Sequence, residues 1–263
     1  MKNITIIGGG NLGRSIAEGL LREKFVTAQQ LTITRRSVEK LSDLQSIGVN
    51  VTSDNIQAIQ NAEWIILAVK PYQIEGISQE LRPYLKSDHH KIISVITGVW
   101  LKDLADLLGN NLACVRAMPN TAIAIGESMT CLSFNEAAKQ DQSFVVSLFN
   151  QLGKSTIIDE NLMDAATVLG ACGTAYAMRY IRANIQGGIE IGFSAETATL
   201  IASQTIKGAA ELLLTNGTHP EQEIDKVTTP QGCTIAGLNE MEHQGFSSSL
   251  IKGLVTSYKK IRG

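Results

Sequence analysis

Gly8, Gly10 and Gly13 stand in a Gly-x-Gly-x-x-Gly spacing directly after the apolar run Ile4-Thr5-Ile6-Ile7. These residues at this spacing can hold a phosphate. Gly8 permits a tight turn off a strand, and Gly10 lets an anion reach the backbone without a Cβ in the way. Gly13 lets the following helix pack close to the strand. Asn11 and Leu12 fall at the N-terminus of that helix, whose free N–H groups and positive dipole end complete the cradle. The flanking context, a strand before and a helical pattern from Arg14 to Leu21 after, separates a dinucleotide site from a chance glycine-rich turn. A second feature is Arg35-Arg36-Ser37, which follows Leu31-Thr32-Ile33-Thr34. The end of the second strand in such a fold faces the adenosine ribose. An acidic residue there selects NAD, whereas arginines accommodate a 2′-phosphate. Thr34 holds the acidic place and two arginines follow, so NADP(H) is the expected cofactor. A solvated helix start is the plainer alternative for the arginines.

The elements that must position these residues can be read in order. Asn50-Val51-Thr52 is a third strand, and Ser53-Asp54-Asn55 suits the cap of the next helix. Trp64-Ile65-Ile66-Leu67-Ala68-Val69 is apolar throughout, as a strand buried on both faces should be. It ends in Lys70-Pro71, and a lysine at the carboxyl edge of a central parallel strand points toward the ligand crevice. Lys91 to Ile96 and Ala113 to Ala117 give a fifth and a sixth strand, the first followed by Thr97-Gly98. Met129 to Ser133 and Ser155 to Ile158 are candidates for two more, around a helix near Glu136 to Leu152. Strands alternating with helices predict a doubly wound, Rossmann-like parallel sheet.

Near Asp159 the alternation stops and the remainder reads as helix. The expected organisation is therefore a dinucleotide-binding domain over 1–159 and an all-α domain over 160–263. The helix from Leu162 onward carries Ala165, Ala166, Gly170, Ala171, Gly173 and Ala175, small residues that permit close approach of another backbone or of a ligand. Gly187-Gly188 is expected to break or kink this pattern. Ser194 should cap a helix from about Ala195 to Leu214, a short Pro220-led helix follows, and two helical stretches close the chain beyond Thr234. Helices with small-residue faces and no sheet to cover them predict a homodimer, or a larger assembly of dimers.

Composition narrows the function classes. The 263 residues, 44% hydrophobic and 18% charged, describe an ordinary globular protein. A net charge of -2 gives no basic footprint, which argues against nucleic acid as a partner. No apolar run reaches the length of a membrane span, and the start shows no signal peptide. Cys114, Cys131, Cys172 and Cys233 are scattered without metal-ligand spacing, so no metal is expected, and reduced thiols in the cytoplasm are.

Gly8-Gly9-Gly10-Asn11-Leu12-Gly13, Ala68-Val69-Lys70-Pro71 and Arg116-Ala117-Met118-Pro119-Asn120-Thr121, in that order and spacing, resemble the pyrroline-5-carboxylate reductases. The second half resembles the same family. Thr228 to Leu238 follows its Ser/Thr-Pro-Gly-Gly-x-Thr loop with one departure, Gln231 for glycine. Asp164 to Tyr176 follows its other signature with Gly-Ala-Cys-Gly-Thr-Ala-Tyr in place of Ser-Gly-Ser-Gly-Pro-Ala-Tyr, and two positions usually acidic are Arg182 and Gln186. The resemblance implies that the loops holding Ala68, Val69, Lys70 and Pro71, and Met118, Pro119 and Asn120, contact the dinucleotide, with Asn55 near the adenosine 2′-phosphate. It implies reduction of the cyclic imine 1-pyrroline-5-carboxylate to L-proline, a small-molecule substrate.

That chemistry asks little of the protein beyond orientation, because a protonated imine is already an electrophile. The loop Thr229, Gln231, Gly232, Cys233 and Thr234 precedes a helix, and its N–H groups can hold the substrate carboxylate. Thr234, the catalytic candidate, has a hydroxyl able to exchange a hydrogen bond with the ring nitrogen. Helix capping by Thr229 or Thr234 is the simpler alternative. Two other functions stand beside this reading. A β-hydroxyacid-type dehydrogenase is expected to carry a lysine four residues before an asparagine on the first helix of the second domain, where this chain has Tyr180 before Asn184. A catalytically silent NADP-binding paralogue is the remaining one, and the altered Gly170 to Thr174 segment is its support.

Overall fold

A computed structural model describes residues 2–262. Eight strands form one sheet in the order β3-β2-β1-β4-β5-β6-β7-β8. They are β1 (Ile4–Ile7), β2 (Leu31–Thr34), β3 (Asn50–Thr52), β4 (Trp64–Leu67), β5 (Lys91–Ser94), β6 (Ala113–Met118), β7 (Ser128–Phe134) and β8 (Gly153–Ile157). The first six run parallel. β7 turns antiparallel to β6, and β8 pairs parallel with β7. The sequence predicts a wholly parallel sheet here. Only residues 119–127, with a 3-10 helix over Thr121–Ile125, separate β6 from β7, too little chain for a crossover, so the direction reverses.

Strand residues alternate between two cores. Ile4, Ile6, Trp64 and Ile66 face α1 (Asn11–Arg22) and α6 (Gln142–Asn150), where Ile16, Leu20, Leu148 and Phe149 close one layer. Ile7, Ile65, Leu67 and Ile92 face α3 (Asn55–Ile59), α4 (Ile74–Leu81) and α5 (Leu101–Leu108), where Ile59, Leu81 and Leu104 close the other. A short α2 (Ser42–Ser46) lies between β2 and β3.

The chain divides into two compact units, Met1–Cys172 and Gly173–Gly263. The last stretch of the first unit is not the single regular helix its sequence suggests. A 3-10 turn (Glu160–Leu162), α7 (Met163–Ala166) and a π-helical turn (Thr167–Cys172) succeed one another. Thr167 Oγ1 donates to the Met163 carbonyl at 2.8 Å, a side-chain bond that competes with regular helix pairing.

Among the described residues the second unit is five helices: α8 (Gly173–Glu190), α9 (Ala195–Asn216), α10 (Pro220–Val227), α11 (Cys233–His243) and α12 (Phe246–Arg262). The expected break at Gly187-Gly188 does not occur, and α8 continues to Glu190. A Cβ on Gly188 would sit 3.1 Å from Ala198 Cβ, so this glycine serves close packing of α8 on α9. The turn falls at Gly192, whose φ of +111° favours glycine. Ser194 Oγ accepts from Thr197 N–H and caps α9 as expected. Tyr176 Oη and Ser257 Oγ, 2.6 Å apart, join α8 to α12. Among the described residues no helix is long and apolar enough to cross a membrane.

Candidate functional site

In the order β3-β2-β1-β4 the chain reverses its winding between β1 and β4, and the crevice of a doubly wound sheet opens at the carboxyl ends of such a strand pair. Gly8 follows β1 and Ala68 follows β4. Gly8 has φ +108°, and a Cβ there would lie 2.6 Å from the Ala68 carbonyl oxygen and 2.8 Å from Val69 Cγ1. A Cβ on Gly13 would collide with the Gly8 carbonyl, while Gly10 faces open space. The three glycines thus fit the roles their spacing suggests: turn, close packing and an open approach. No side chain caps α1, whose N-cap is Gly10, so the first-turn amides at Asn11, Leu12 and Gly13 remain available to an anion. This cradle fits a dinucleotide pyrophosphate.

Gly9 is buried and fastens the turn to β2. Its N–H donates to the Thr34 carbonyl at 2.6 Å, and its own carbonyl accepts from Arg35 Nη1 at 2.6 Å. Thr34 is itself buried, and its hydroxyl accepts from Gly8 N–H at 3.3 Å. The two arginines therefore differ. Arg35 is half-buried and braces the glycine turn, while Arg36 is exposed with no hydrogen bond or ion pair among the described residues. Ser37 is half-buried and opens the 3-10 turn Val38–Leu41.

On the other side of the crevice Lys70 and Pro71 are exposed, and Lys70 N–H donates to Gln73 Oε1 at 3.1 Å. Asp54, not Asn55, caps α3, accepting from Gln57 N–H at 2.9 Å. Asn55 is half-buried and donates through Nδ2 to Glu80 Oε2 at 3.0 Å. Exposed Thr97 and Gly98 follow β5 on the same carboxyl edge. The sequence shows the same strand-then-glycine signal there, yet they are not among the expected site residues.

Met118 and Pro119 are buried, so the loop after β6 offers the crevice backbone rather than these side chains. Asn120 is pinned on several sides. Its N–H donates to Ser128 Oγ at 3.1 Å, Oδ1 accepts from Ala122 N–H at 3.1 Å, and Nδ2 donates to the Gly170 carbonyl at 3.3 Å. Arg116, fully buried within β6, lies 3.5 Å from Glu160 and 3.8 Å from Asp164, with its guanidinium over the Trp100 ring at 4.9 Å. Glu160 also accepts from Leu101 N–H at 2.6 Å. An arginine in an otherwise apolar strand was the visible signal for this buried cluster, since such a charge requires partners. Cys114, in the same strand, has its thiol pushed up to about 12 by burial and is no nucleophile.

The loop of the second unit lies between α10 and α11. The N-cap of α11 is Gly232, with no side-chain cap, so neither Thr229 nor Thr234 serves the simpler capping role. Gly232 N–H donates to the Thr229 carbonyl at 2.9 Å, and a Cβ on Gly232 would lie 2.6 Å from Thr229 Oγ1. Gln231 has φ +62°, the left-handed conformation a glycine would take easily. Gln231 thus carries a Cβ in a conformation that strains it. Gln231, Cys233 and Thr234 are all exposed.

Residues 160–263 match the family model described as pyrroline-5-carboxylate reductase dimerisation, and residues 3–98 match that described as NADP oxidoreductase coenzyme F420-dependent. The chain is 45% identical over 269 residues to pyrroline-5-carboxylate reductase 1 of Dictyostelium discoideum, covering 98% of this chain and 49% of that one. It thus spans about half the length of that relative. It is 43% identical over 275 residues to pyrroline-5-carboxylate reductase 2 of the same organism, covering 98% of this chain and 92% of the relative. Among solved structures, the Plasmodium falciparum pyrroline carboxylate reductase with NADP bound superposes with a TM-score of 0.88 at 26% identity, covering 99% of this chain and 97% of that one.

Proposed function

Because the chain belongs to the pyrroline-5-carboxylate reductase family, we propose that it reduces 1-pyrroline-5-carboxylate to L-proline with NADPH. The observation that carries this reading is the glycine cradle with an uncapped helix N-terminus on one unit, together with the family's substrate loop, kept in glycine-type geometry, on the other. The first unit holds the cofactor and the second the substrate. When bound, the reduced nicotinamide supplies the hydride.

The chain's own residues then bind and orient. Amides at the start of α1 take the pyrophosphate, and exposed Arg36 takes the 2′-phosphate. In the substrate loop, the N–H groups at the uncapped start of α11 take the carboxylate. Thr234 Oγ1 exchanges a hydrogen bond with the ring nitrogen and fixes the imine plane. No strong general acid is required, because the imine nitrogen arrives protonated.

Assembly is part of the same reading. From Gly173 onward only Ile185 and Ala198 are buried among the described residues, so the helices need a second copy to cover them. A homodimer, or an assembly of dimers, acting in the cytoplasm without nucleic acid is the form we propose. The test is NADPH oxidation measured with a panel of cyclic imines and 2-oxo acids. Turnover confined to the five-membered pyrroline carboxylate supports the assignment, and turnover of a 2-oxo acid alone overturns it.

A further inference from the structure

The geometry points to Asn120 as a positioning residue that ties the loop after β6 to the π-helical turn Thr167–Cys172. This inference rests on the assignment of that loop to the cofactor site. The orientation of the Asn120 carboxamide is forced. Its oxygen must face Ala122 N–H, since only an acceptor satisfies that donor, so its NH₂ must face the Gly170 carbonyl. The backbone N–H of Asn120 is held in turn by Ser128 Oγ, which is buried and lies 3.3 Å from Thr130 Oγ1 on β7. The side chain is therefore fixed to the sheet and reaches out from it.

Its target is unusual. π-turns are rare and cluster at functional sites, and this one is six residues long. The stretch that leads into this turn is held to β6 itself. Arg116 meets Glu160 and Asp164, and it lies on the strand that Asn120 follows. Two side chains from one strand and its outgoing loop thus register the segment Glu160–Cys172 on the sheet. Through Asn120 the cofactor loop and the wide turn move as one body.

Two variants isolate the bond. Asn120→Ser keeps an N-cap acceptor for Ala122 N–H but is too short to reach Gly170. Asn120→Asp also keeps that acceptor and turns a carboxylate oxygen toward the Gly170 carbonyl. Amide hydrogen exchange is followed on the cofactor-free protein in the peptide covering 167–172, beside NADPH titration and steady-state kinetics. Exchange in that peptide should quicken about tenfold in Asn120→Ser, the worth of one hydrogen bond, and further in Asn120→Asp. Turnover should fall about as much, while KM for NADPH stays within about twofold. Wild-type protection in both variants overturns the proposal. So does loss of NADPH binding with exchange unchanged, which would make Asn120 a direct ligand. Should the wild-type protein fail to oxidise NADPH with the pyrroline, the functional reading fails while the exchange result still decides the tie.

Discussion

The sheet unit and the helical unit of this chain solve the problem of burial in opposite ways. In the first, every residue of β1, β4 and β6 is buried, and two apolar layers close over both faces of the sheet. In the second, helices as long as α9 and α12 leave Leu200 and Leu214 about 70% exposed, and Leu250 and Ile251 about half exposed. The helical propensity of such segments does not hold them; packing must, and burying a leucine is worth roughly 1.5–3 kcal/mol. The difference teaches where function is encoded by one copy and where it waits on two. A cofactor crevice belongs to a finished fold, while the loop Thr229–Thr234, proposed above to hold the substrate, sits in a unit that buries few of its own apolar residues.

The largest expected effect breaks that comparison directly. If the exposed leucines were ordinary surface, replacing Leu200 and Leu250 with glutamate would change stability by only about 0.5 kcal/mol each. If they form the buried face of a dimer, Leu200→Glu with Leu250→Glu should convert the assembly to monomer at micromolar concentration. Turnover should fall by at least about a hundredfold, because two buried leucines are lost and two charges would have to be desolvated. Light scattering showing an unchanged mass, with unchanged turnover, would sink the contrast between the units.

Thr234→Ala comes next and probes the helical unit alone. A general acid would be worth about a hundredfold or more, whereas a neutral hydrogen bond contributes about 0.5–1.5 kcal/mol. A polarising and orienting hydroxyl should therefore cost between about twofold and tenfold in turnover. NADPH affinity should stay at the wild-type value, since the cradle lies wholly in the first unit. Complete loss of activity would mean an obligatory proton donor, and the protonated-imine argument would have to be withdrawn.

Most of the sheet unit was legible in the sequence because its signals are local. Ile4-Thr5-Ile6-Ile7 followed by glycines, or Trp64-Ile65-Ile66-Leu67 followed by Lys70-Pro71, announce a strand and its end within a few residues. The site glycines carry their roles in their spacing for the same reason. What escaped depends on distant partners. The π-turn at Thr167–Cys172 is held by a bond from Asn120, fifty residues earlier. The continuity of α8 through Gly187-Gly188 is explained by Ala198 on the next helix. Arg35 and Arg36 read as an equivalent pair, and only the fold shows one turned inward to Gly9.

That asymmetry divides cofactor selectivity from cofactor affinity within the sheet unit. Arg36→Ala should weaken NADPH by one to two decades, about 1.5–3 kcal/mol for a charge-assisted contact, and leave NADH nearly unchanged. Arg35→Ala should instead weaken both cofactors by a similar, smaller factor, because the Gly9 carbonyl it holds belongs to the turn that both pyrophosphates use. Titration of each variant with the two cofactors separates the roles. Equal selectivity changes in the two variants would return both arginines to the 2′-phosphate.

The smallest effect concerns acid, and it again distinguishes the units. His90 is buried in the sheet unit, with Nδ1 accepting from Lys86 N–H at 2.8 Å and Nε2–H facing the Ile59 carbonyl at 3.1 Å. Both ring nitrogens are committed to the neutral form, and a proton on Nδ1 would oppose the Lys86 N–H. Burial accordingly holds its pKa below the ordinary 6.5. The unfolded chain then takes up a proton before the folded one as pH falls. Stability from this group is full above about pH 6.5 and declines as pH drops toward the folded value, by no more than about 1.4 kcal/mol per pH unit for one proton. Glu63, held low by Lys2 and Lys91 against its own desolvation, acts in the same sense but only below the ordinary carboxylate range near 4.5. The window between pH 7.5 and 5.5 therefore isolates the histidine. Both tryptophans, Trp64 and Trp100, lie in the first unit, so tryptophan fluorescence reports its urea midpoint without interference from the helices. The midpoint should fall across that window in the wild type and stay nearly level in His90→Asn, whose carboxamide oxygen can replace Nδ1 as acceptor for Lys86 N–H. Equal slopes in the two proteins would place the acid sensitivity elsewhere in the molecule.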